Sequence, residues 1–351
     1  MPKNWDNAHL TNIDTYAADI LRLYNAAARK IVIASMSANV DADTLFTFAD
    51  FPRINKIVNK ILADLVEKAV DVINAGTESA WLMSAEKNDE LVKAILPGLD
   101  LESRALERIM SRNLDGLEAF QNRKSLGLNL SKRIWKTMPV FKADLETTLD
   151  VGIASGDSAA EVARKARVNL LEPDKMFRRV RDKNGVLQLS SNAKAYHPGQ
   201  GVYRSSVKNA QRLTRTEINI AYREADHQRW GDMDFVVGYE VQRSNRVYFC
   251  VRCESLKGKY PKTFKFNGWH PQCRCRCIPI LATDDEVDAM ISKILADEDP
   301  GFTSVNEIKA VPKNYSTFIK ENKPMLLRAK SVPYFIRDNY KDGKLSKGLA
   351  I

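Results

Sequence analysis

The cysteines are the residues of this sequence whose spacing points most directly to chemistry. All five lie between positions 250 and 277 of a chain of 351 residues. A C-x-x-C pair comes first, and after sixteen intervening residues a histidine opens a second, closely spaced group. The first residues of the chain lead into no apolar stretch, so we expect no signal peptide. An odd, tightly clustered set of cysteines in such a chain argues against a disulfide framework and favours a metal site.

The pattern predicts a structural zinc ion. A C-x-x-C pair at the end of a strand places two thiolates on one side of a tight turn, which supplies half of a tetrahedral site. Thiolate-rich sites suit zinc, and a closed Cys/His site without an open position is normally structural. We expect four ligands, and we prefer Cys275 to Cys273 as the fourth; the alternative is a group of free buried thiols. The candidate ligands are Cys250, Cys253, His270, Cys273 and Cys275.

Short strands are predicted to position this cluster. Residues 235–241 and 247–249 are rich in β-branched and aromatic residues and are separated by a turn at 244–245. A short apolar strand at 278–281 follows the last cysteine, so we interpret Cys277 as a buried thiol on that strand. A basic helix is predicted from Ser205 onward, ahead of the first strand.

The remainder of the chain is predicted to be helical. Apolar residues recur at helical spacing within 9–145, and Ser158 with Glu161 forms a capping box for a further helix. The fold class is therefore α+β and mostly helical, with a long helical N-terminal half and a small zinc-stapled α+β domain that contains a short antiparallel β element. We expect a helical docking domain at 1–145, a zinc-site domain at 146–283, and a helix with a C-terminal tail at 284–351.

Charge is distributed unevenly along the chain. Residues 1–120 carry a net charge of −5, whereas 121–200 carry +7 and 201–280 carry +8. The acidic half suits a protein partner, and the basic middle suits non-specific binding of double-stranded DNA. We expect Arg215 and Glu217 to form a structural ion pair. The predicted nucleic-acid contacts are Arg204, Lys208, Arg212 and Arg223.

Part of the chain resembles a known family. An Arg-Thr-Glu helix at 215–217, the C-x-x-C pair, and the His-Pro-x-Cys-Arg-Cys run from His270 resemble the phage Mu F-like minor head proteins, also called phage head morphogenesis proteins. The stretch 151–158, which runs into the capped helix, is similar to the start of the same domain. The resemblance covers roughly residues 146–283, and Cys277 exceeds the family pattern.

The resemblance implies a low-copy structural protein of the virion. Such a protein associates with the portal and with capsid or scaffold components during head assembly in the cytoplasm of the bacterial host, and it lies inside the head near packaged DNA. From the few available acid and base groups and the absent motifs, we expect no enzymatic activity. No stretch of the sequence approaches the roughly 20 apolar residues of a membrane span, so we expect no membrane partner.

Two other classes of protein remain as alternatives. A zinc-containing nuclease or toxin-type enzyme would need an acid and a base, and Glu224 with His227 on the basic helix is the available pair. His9 is expected at a frayed chain start and His197 in a loop. The sequence has no G-x-x-x-x-G-K-[ST] phosphate loop and no nucleophile elbow. A zinc-finger regulator would use Arg252, Arg274, Arg276 and Trp269, yet no recognition helix follows the cysteines.

Overall fold

The computed structural model describes residues 4–37, 45–96, 107, 109–177, 179–189, 202–244, 249–295, 302–328, 333–341 and 344–345. These residues form a mostly helical α+β fold, as the sequence predicts. The helices are α1 (Trp5–Met36), α2 (Pro52–Ile95), α3 (Leu114–Asn122), α4 (Leu130–Trp135), α5 (Met138–Ala154), α6 (Ala159–Leu171), α7 (Ser206–Asp232), α8 (Val251–Ser255), α9 (Asp284–Leu295), α10 (Lys313–Arg328) and α11 (Tyr334–Arg337).

The strands are short and pair only antiparallel within the described part of the chain. They are β1 (Arg179–Arg181), β2 (Leu187–Leu189), β3 (Val236–Gln242), β4 (Gly258–Tyr260), β5 (Arg276–Leu281), β6 (Tyr340–Lys341) and β7 (Lys344–Leu345). β1 pairs with β2, β6 pairs with β7, and β3 lies between β4 and β5 in a three-stranded sheet. No described helix is both long enough and apolar enough to cross a membrane.

The chain divides into two compact units, and each is assembled from separated segments. We call Met1–Asn12, Thr77–Glu118 and Thr216–Ile351 the cysteine unit, and Ile13–Gly76 with Ala119–Arg215 the helical unit. The predicted consecutive domains stay a prediction, and the two units follow a different division of the chain. The predicted boundary after residue 145 falls inside α5, and the helices of 1–145 are divided between both units.

The helical unit is held by closely packed amphipathic helices. Tyr24 of α1 is fully buried against Phe141 of α5, with ring centroids 5.1 Å apart. Gly152 lets α5 approach α6, because a Cβ atom there would lie 2.5 Å from a methyl group of Val162. The predicted capping box is confirmed, since Ser158 and Glu161 exchange backbone and side-chain hydrogen bonds at the start of α6.

The cysteine unit is built around β3 and an aromatic core. The predicted first strand is confirmed as β3, and the predicted strand after the last cysteine is confirmed as β5. For the predicted strand at 247–249, residues 247 and 248 lie outside the described residues, and Phe249 is not in a strand. β4 takes the neighbouring position instead, with Tyr239 of β3 paired to Tyr260.

Several other predictions can be placed. The loop predicted around His197 lies outside the described residues. A turn at 182–185 joins β1 to β2. Phe335 of α11 is fully buried against Trp269, with centroids 5.2 Å apart, so this apolar part of the tail packs on the cysteine unit.

Glu286 at the start of α9 gives a pH-dependent prediction. Its carboxylate accepts hydrogen bonds from Ser304 Oγ (2.6 Å), Val305 N (2.8 Å) and Thr283 N (3.0 Å). These bonds lower the pKa of Glu286 from 4.5 to about 2. Because the folded-state pKa is depressed, the stabilisation is present above about pH 4.5 and is lost as the pH falls through about 2.

We expect Glu286→Gln to lower stability at neutral pH and to narrow its gap to the wild-type chain as the pH falls. The measurement is the urea midpoint of both chains between about pH 6 and pH 3. Asp288→Asn changes an exposed carboxylate of the same helix and serves as the control. A gap that stays constant over this range would contradict the assignment.

Candidate metal centre

One histidine nitrogen lies close to two cysteine sulfurs. Cys250 directly precedes α8 and Cys253 lies within it, so the first turn brings both sulfurs to one side. His270 Nε2 is 3.3 Å from Cys250 Sγ and 3.1 Å from Cys253 Sγ. A nitrogen and a sulfur bound to the same tetrahedral zinc ion are about 3.6 Å apart. The three side chains therefore stand nearly at the spacing that a common ion requires.

A second group of donors shares Cys253 with the first. The sulfurs of Cys253, Cys273 and Cys275 all lie within 4.8 Å of one another, and all three residues are buried. Cys253 Sγ and Cys273 Sγ are 3.9 Å apart, close to the spacing of about 3.8 Å between two thiolates on one zinc ion. The five predicted ligands are thus brought together, while the preference for Cys275 over Cys273 stays a prediction.

Hydrogen bonding within the cluster favours one thiolate. Side-chain hydrogen bonds that Cys273 shares with Cys253 and Cys275 hold the pKa of Cys273 well below its ordinary value. The hydrogen bonds of Cys253 with Cys273 and Cys275 raise the pKa of Cys253. Metal ligation needs the deprotonated sulfur, so this arrangement prepares a ligand. Cys277 is buried on β5 and belongs to neither donor group, as the sequence predicts.

The loop before Cys273 fixes the donors by backbone geometry. His270 Nδ1 donates to the Pro271 carbonyl (2.8 Å), so Nε2, which faces the sulfurs, is the ring nitrogen placed to bind a metal. Gly268 has φ +106°, and a Cβ atom there would lie 2.9 Å from Cys273 Cβ. Gln272 takes a left-handed conformation (φ 61°) and donates its backbone N–H to Thr216 Oγ1 of α7 (3.2 Å).

Arg223 does not have the role predicted for it. It was expected to contact nucleic acid, yet its side chain is only 4% exposed. Its Nη2 donates to the Cys275 carbonyl (2.7 Å), and its Nη1 donates to Asp226 (3.4 Å). A guanidinium group buried in this way cannot reach a phosphate, so the prediction is wrong for Arg223.

The other basic residues lie in the helical unit and are partly buried. Arg204 pairs with Asp174 (2.9 Å), and Lys208 and Arg212 lie on α7. Nucleic-acid binding through these three residues stays a prediction. Arg215 pairs with Asp14 (3.3 Å), which is a different partner from the predicted one. Glu217 is buried in the cysteine unit.

Other residues that the sequence singles out are also buried or paired. His9 is not frayed but 1% exposed, and its ring stacks on Tyr222 with centroids 3.9 Å apart. Trp269 is fully buried in the aromatic core, so it offers no surface to a nucleic acid. Glu224, the candidate acid or base, pairs with Lys265 at 2.7 Å. In the sequence, the burial of these side chains is indicated only by their positions on apolar helix faces or beside aromatic residues.

Comparison with known proteins gives one similarity to a curated protein. No family model matches the chain, and no solved structure matches it. A stretch of 129 residues is 35% identical to a thymidylate kinase from Nitrosospira multiformis. The match covers 36% of this chain and 60% of that protein, so the chain spans less than two thirds of the length of its curated relative.

This similarity contradicts two functional conclusions drawn from the sequence. The similar protein is named as a thymidylate kinase and not as a structural phage protein, so the interpretation as a phage minor head protein is wrong. The expectation that the chain has no enzymatic activity is wrong for the same reason. No described contact tests the portal, capsid or scaffold partners or the virion location, which stay predictions.

Gly268 gives a direct prediction about the loop. Gly268→Ala forces a side chain into a left-handed position and against Cys273, so we expect a loss of stability of about 1 kcal/mol or more and weaker metal binding. Gly231→Ala is the matched control, because no atom lies within 4 Å of its added Cβ and it lies in α7. The control should be neutral or stabilising by up to about 1 kcal/mol. Equal metal affinity in both variants would contradict this account of the loop.

Proposed function

We propose that the cysteine unit binds one zinc ion whose role is structural. The observation that carries this proposal is the sharing of Cys253 between two donor groups, each spanning no more than 4.8 Å. Cys250, Cys253 and His270 supply three ligands, and Cys273 or Cys275 supplies the fourth. A bound zinc ion would supply neutralising charge and a fixed geometry at this point.

The chemistry of the donors supports zinc in particular. Sulfur and imidazole donors are the set that zinc takes in tetrahedral structural sites. No Asp or Glu belongs to either donor group among the described residues. With four protein ligands the coordination is closed, so no position is left for a reacting water.

The position of the cluster supports a structural role. α8, β4 and β5 are elements of five, three and six residues, and such short elements depend on tertiary contacts for stability. Of the candidate ligands, Cys253 lies in α8 and Cys250 lies directly before it. The others, His270, Cys273 and Cys275, lie in the loop before β5. A metal ion at this point would join segments that have little local preference of their own.

Zinc content tests the proposal. We expect one zinc ion per chain by elemental analysis, and we expect Cys253→Ser to remove it because Cys253 belongs to both donor groups. Cys277→Ser is the matched control, since that buried thiol lies outside both groups and its loss should leave the zinc in place. Purified protein without metal, or full zinc content in Cys253→Ser, would refute the site.

A second candidate function is a nucleotide kinase. The observation that favours it is the similarity to a thymidylate kinase over 129 residues. The sequence contains no G-x-x-x-x-G-K-[ST] loop, so the phosphates would have to be held by other residues. In this function the metal centre would keep its structural role, and phosphoryl transfer would take place elsewhere on the chain.

An activity assay tests this second function. We expect the purified full chain to form ADP from ATP when thymidylate is added, and we expect Cys277→Ser to retain that activity. ADP formation is followed by a coupled assay, with thymidylate omitted as the blank. A rate equal to the blank, in protein with a full complement of zinc, would exclude the kinase and leave the metal proposal intact.

A further inference from the structure

A buried carboxylate on α7 collects polar groups from α2 within the cysteine unit. Asp226 is 1% exposed. Its Oδ1 accepts hydrogen bonds from Ser84 Oγ (2.6 Å) and Asn88 Nδ2 (3.1 Å), and Lys87 Nζ lies 2.5 Å away. All three partners lie on one face of α2, at the spacing of a helical turn. Asp226 therefore fixes this part of α2 against α7.

Arg223 connects that carboxylate to the metal centre. Its guanidinium donates to Asp226 Oδ2 from one nitrogen (3.4 Å) and to the Cys275 carbonyl from another (2.7 Å). The second contact holds the backbone carbonyl of Cys275, a candidate ligand that directly precedes β5. The two terminal nitrogens of one buried guanidinium group thus contact the cysteine loop and the carboxylate that joins α2 to α7.

The energetic cost of burial makes this connection significant. A buried guanidinium is tolerated only when it is paired and hydrogen-bonded, and the removal of one partner leaves an uncompensated charge. When the Cys275 carbonyl moves away, Arg223 loses its shorter hydrogen bond. When Arg223 is removed, that carbonyl loses its described donor. Two events that stabilise the same arrangement must favour each other to the same extent.

We propose that Arg223 is a positioning residue for the metal centre, and that through Asp226 it couples metal binding to the packing of residues 84–88 against α7. This inference rests on the proposed metal site. According to this inference, Arg223 and Asp226 influence metal affinity although neither belongs to a donor group. Partners that orient metal ligands from outside the coordination sphere typically change affinity about 10–100-fold when removed.

The test compares two buried arginines of the same helix. Arg229 is also 4% exposed and paired, at 2.7 Å to Asp89, but its described contacts do not include the cysteine loop. We expect Arg223→Gln in the full chain to weaken zinc binding about 10-fold or more, measured by competition with a chromophoric chelator. Arg229→Gln should lower thermal stability and leave zinc affinity unchanged. Equal zinc affinities for Arg223→Gln, Arg229→Gln and the wild-type chain would overturn the proposal.

Asp226→Asn provides the second measurement. Asp226 is described in contact with no donor atom of the metal centre, so a local structural role would not change zinc affinity. We expect weaker zinc binding in Asp226→Asn, and we expect its effect and that of Arg223→Gln to be less than additive in the double variant. Full additivity would refute coupling through this pair. A wild-type chain that binds no zinc would instead refute the proposed function on which this inference depends.

Discussion

The structure of the cysteine unit depends on how three buried cysteines, one half-buried cysteine and one histidine can be brought together without loss of stability. Cys253 lies 3.9 Å from Cys273 and 3.1 Å from His270 Nε2, in a region from which most solvent is excluded. Deprotonated sulfurs at such spacing repel one another and lose hydration, so they are stable only beside a cation. A metal ion bound by these donors would replace the repulsion between the sulfurs with attraction to a common cation. The left-handed conformation of Gly268 and the hydrogen bond from His270 to Pro271 both serve that arrangement.

The elements around the donors transmit this constraint to the rest of the unit. β5 follows the last candidate ligand and pairs along β3, and Trp269 beside His270 is fully buried among aromatic residues. Arg223 extends the constraint to α7, and Asp226 extends it to α2. Residues far apart in the sequence are thus held by a small number of buried polar contacts. This explains how a compact unit can be assembled from three separated segments of the chain.

The sequence predicts those features that depend on local chemistry. The cluster of candidate ligands, β3, β5 and the capping box at Ser158 all follow from spacing and residue type, since each is determined by near neighbours. The division into units was not identified, because long helices such as α2 and α7 contribute to both units without a break in their pattern. Arg223 and His9 were misplaced because a charged or polar residue on a helix gives no local sign of a buried partner. The functional conclusions failed for a related reason, since a short motif around a metal site says little about the activity of the whole chain.

X-ray absorption at the zinc edge tests the central claim most directly, because it reports the donor atoms themselves. The account predicts a zinc ion in the purified full chain with three sulfur neighbours at about 2.3 Å and one nitrogen neighbour at about 2.0 Å. Loss of the zinc ion in Cys253→Ser would agree with this assignment, because Cys253 belongs to both donor groups. A spectrum fitted by oxygen and nitrogen neighbours alone, or a chain that holds no zinc, would contradict it.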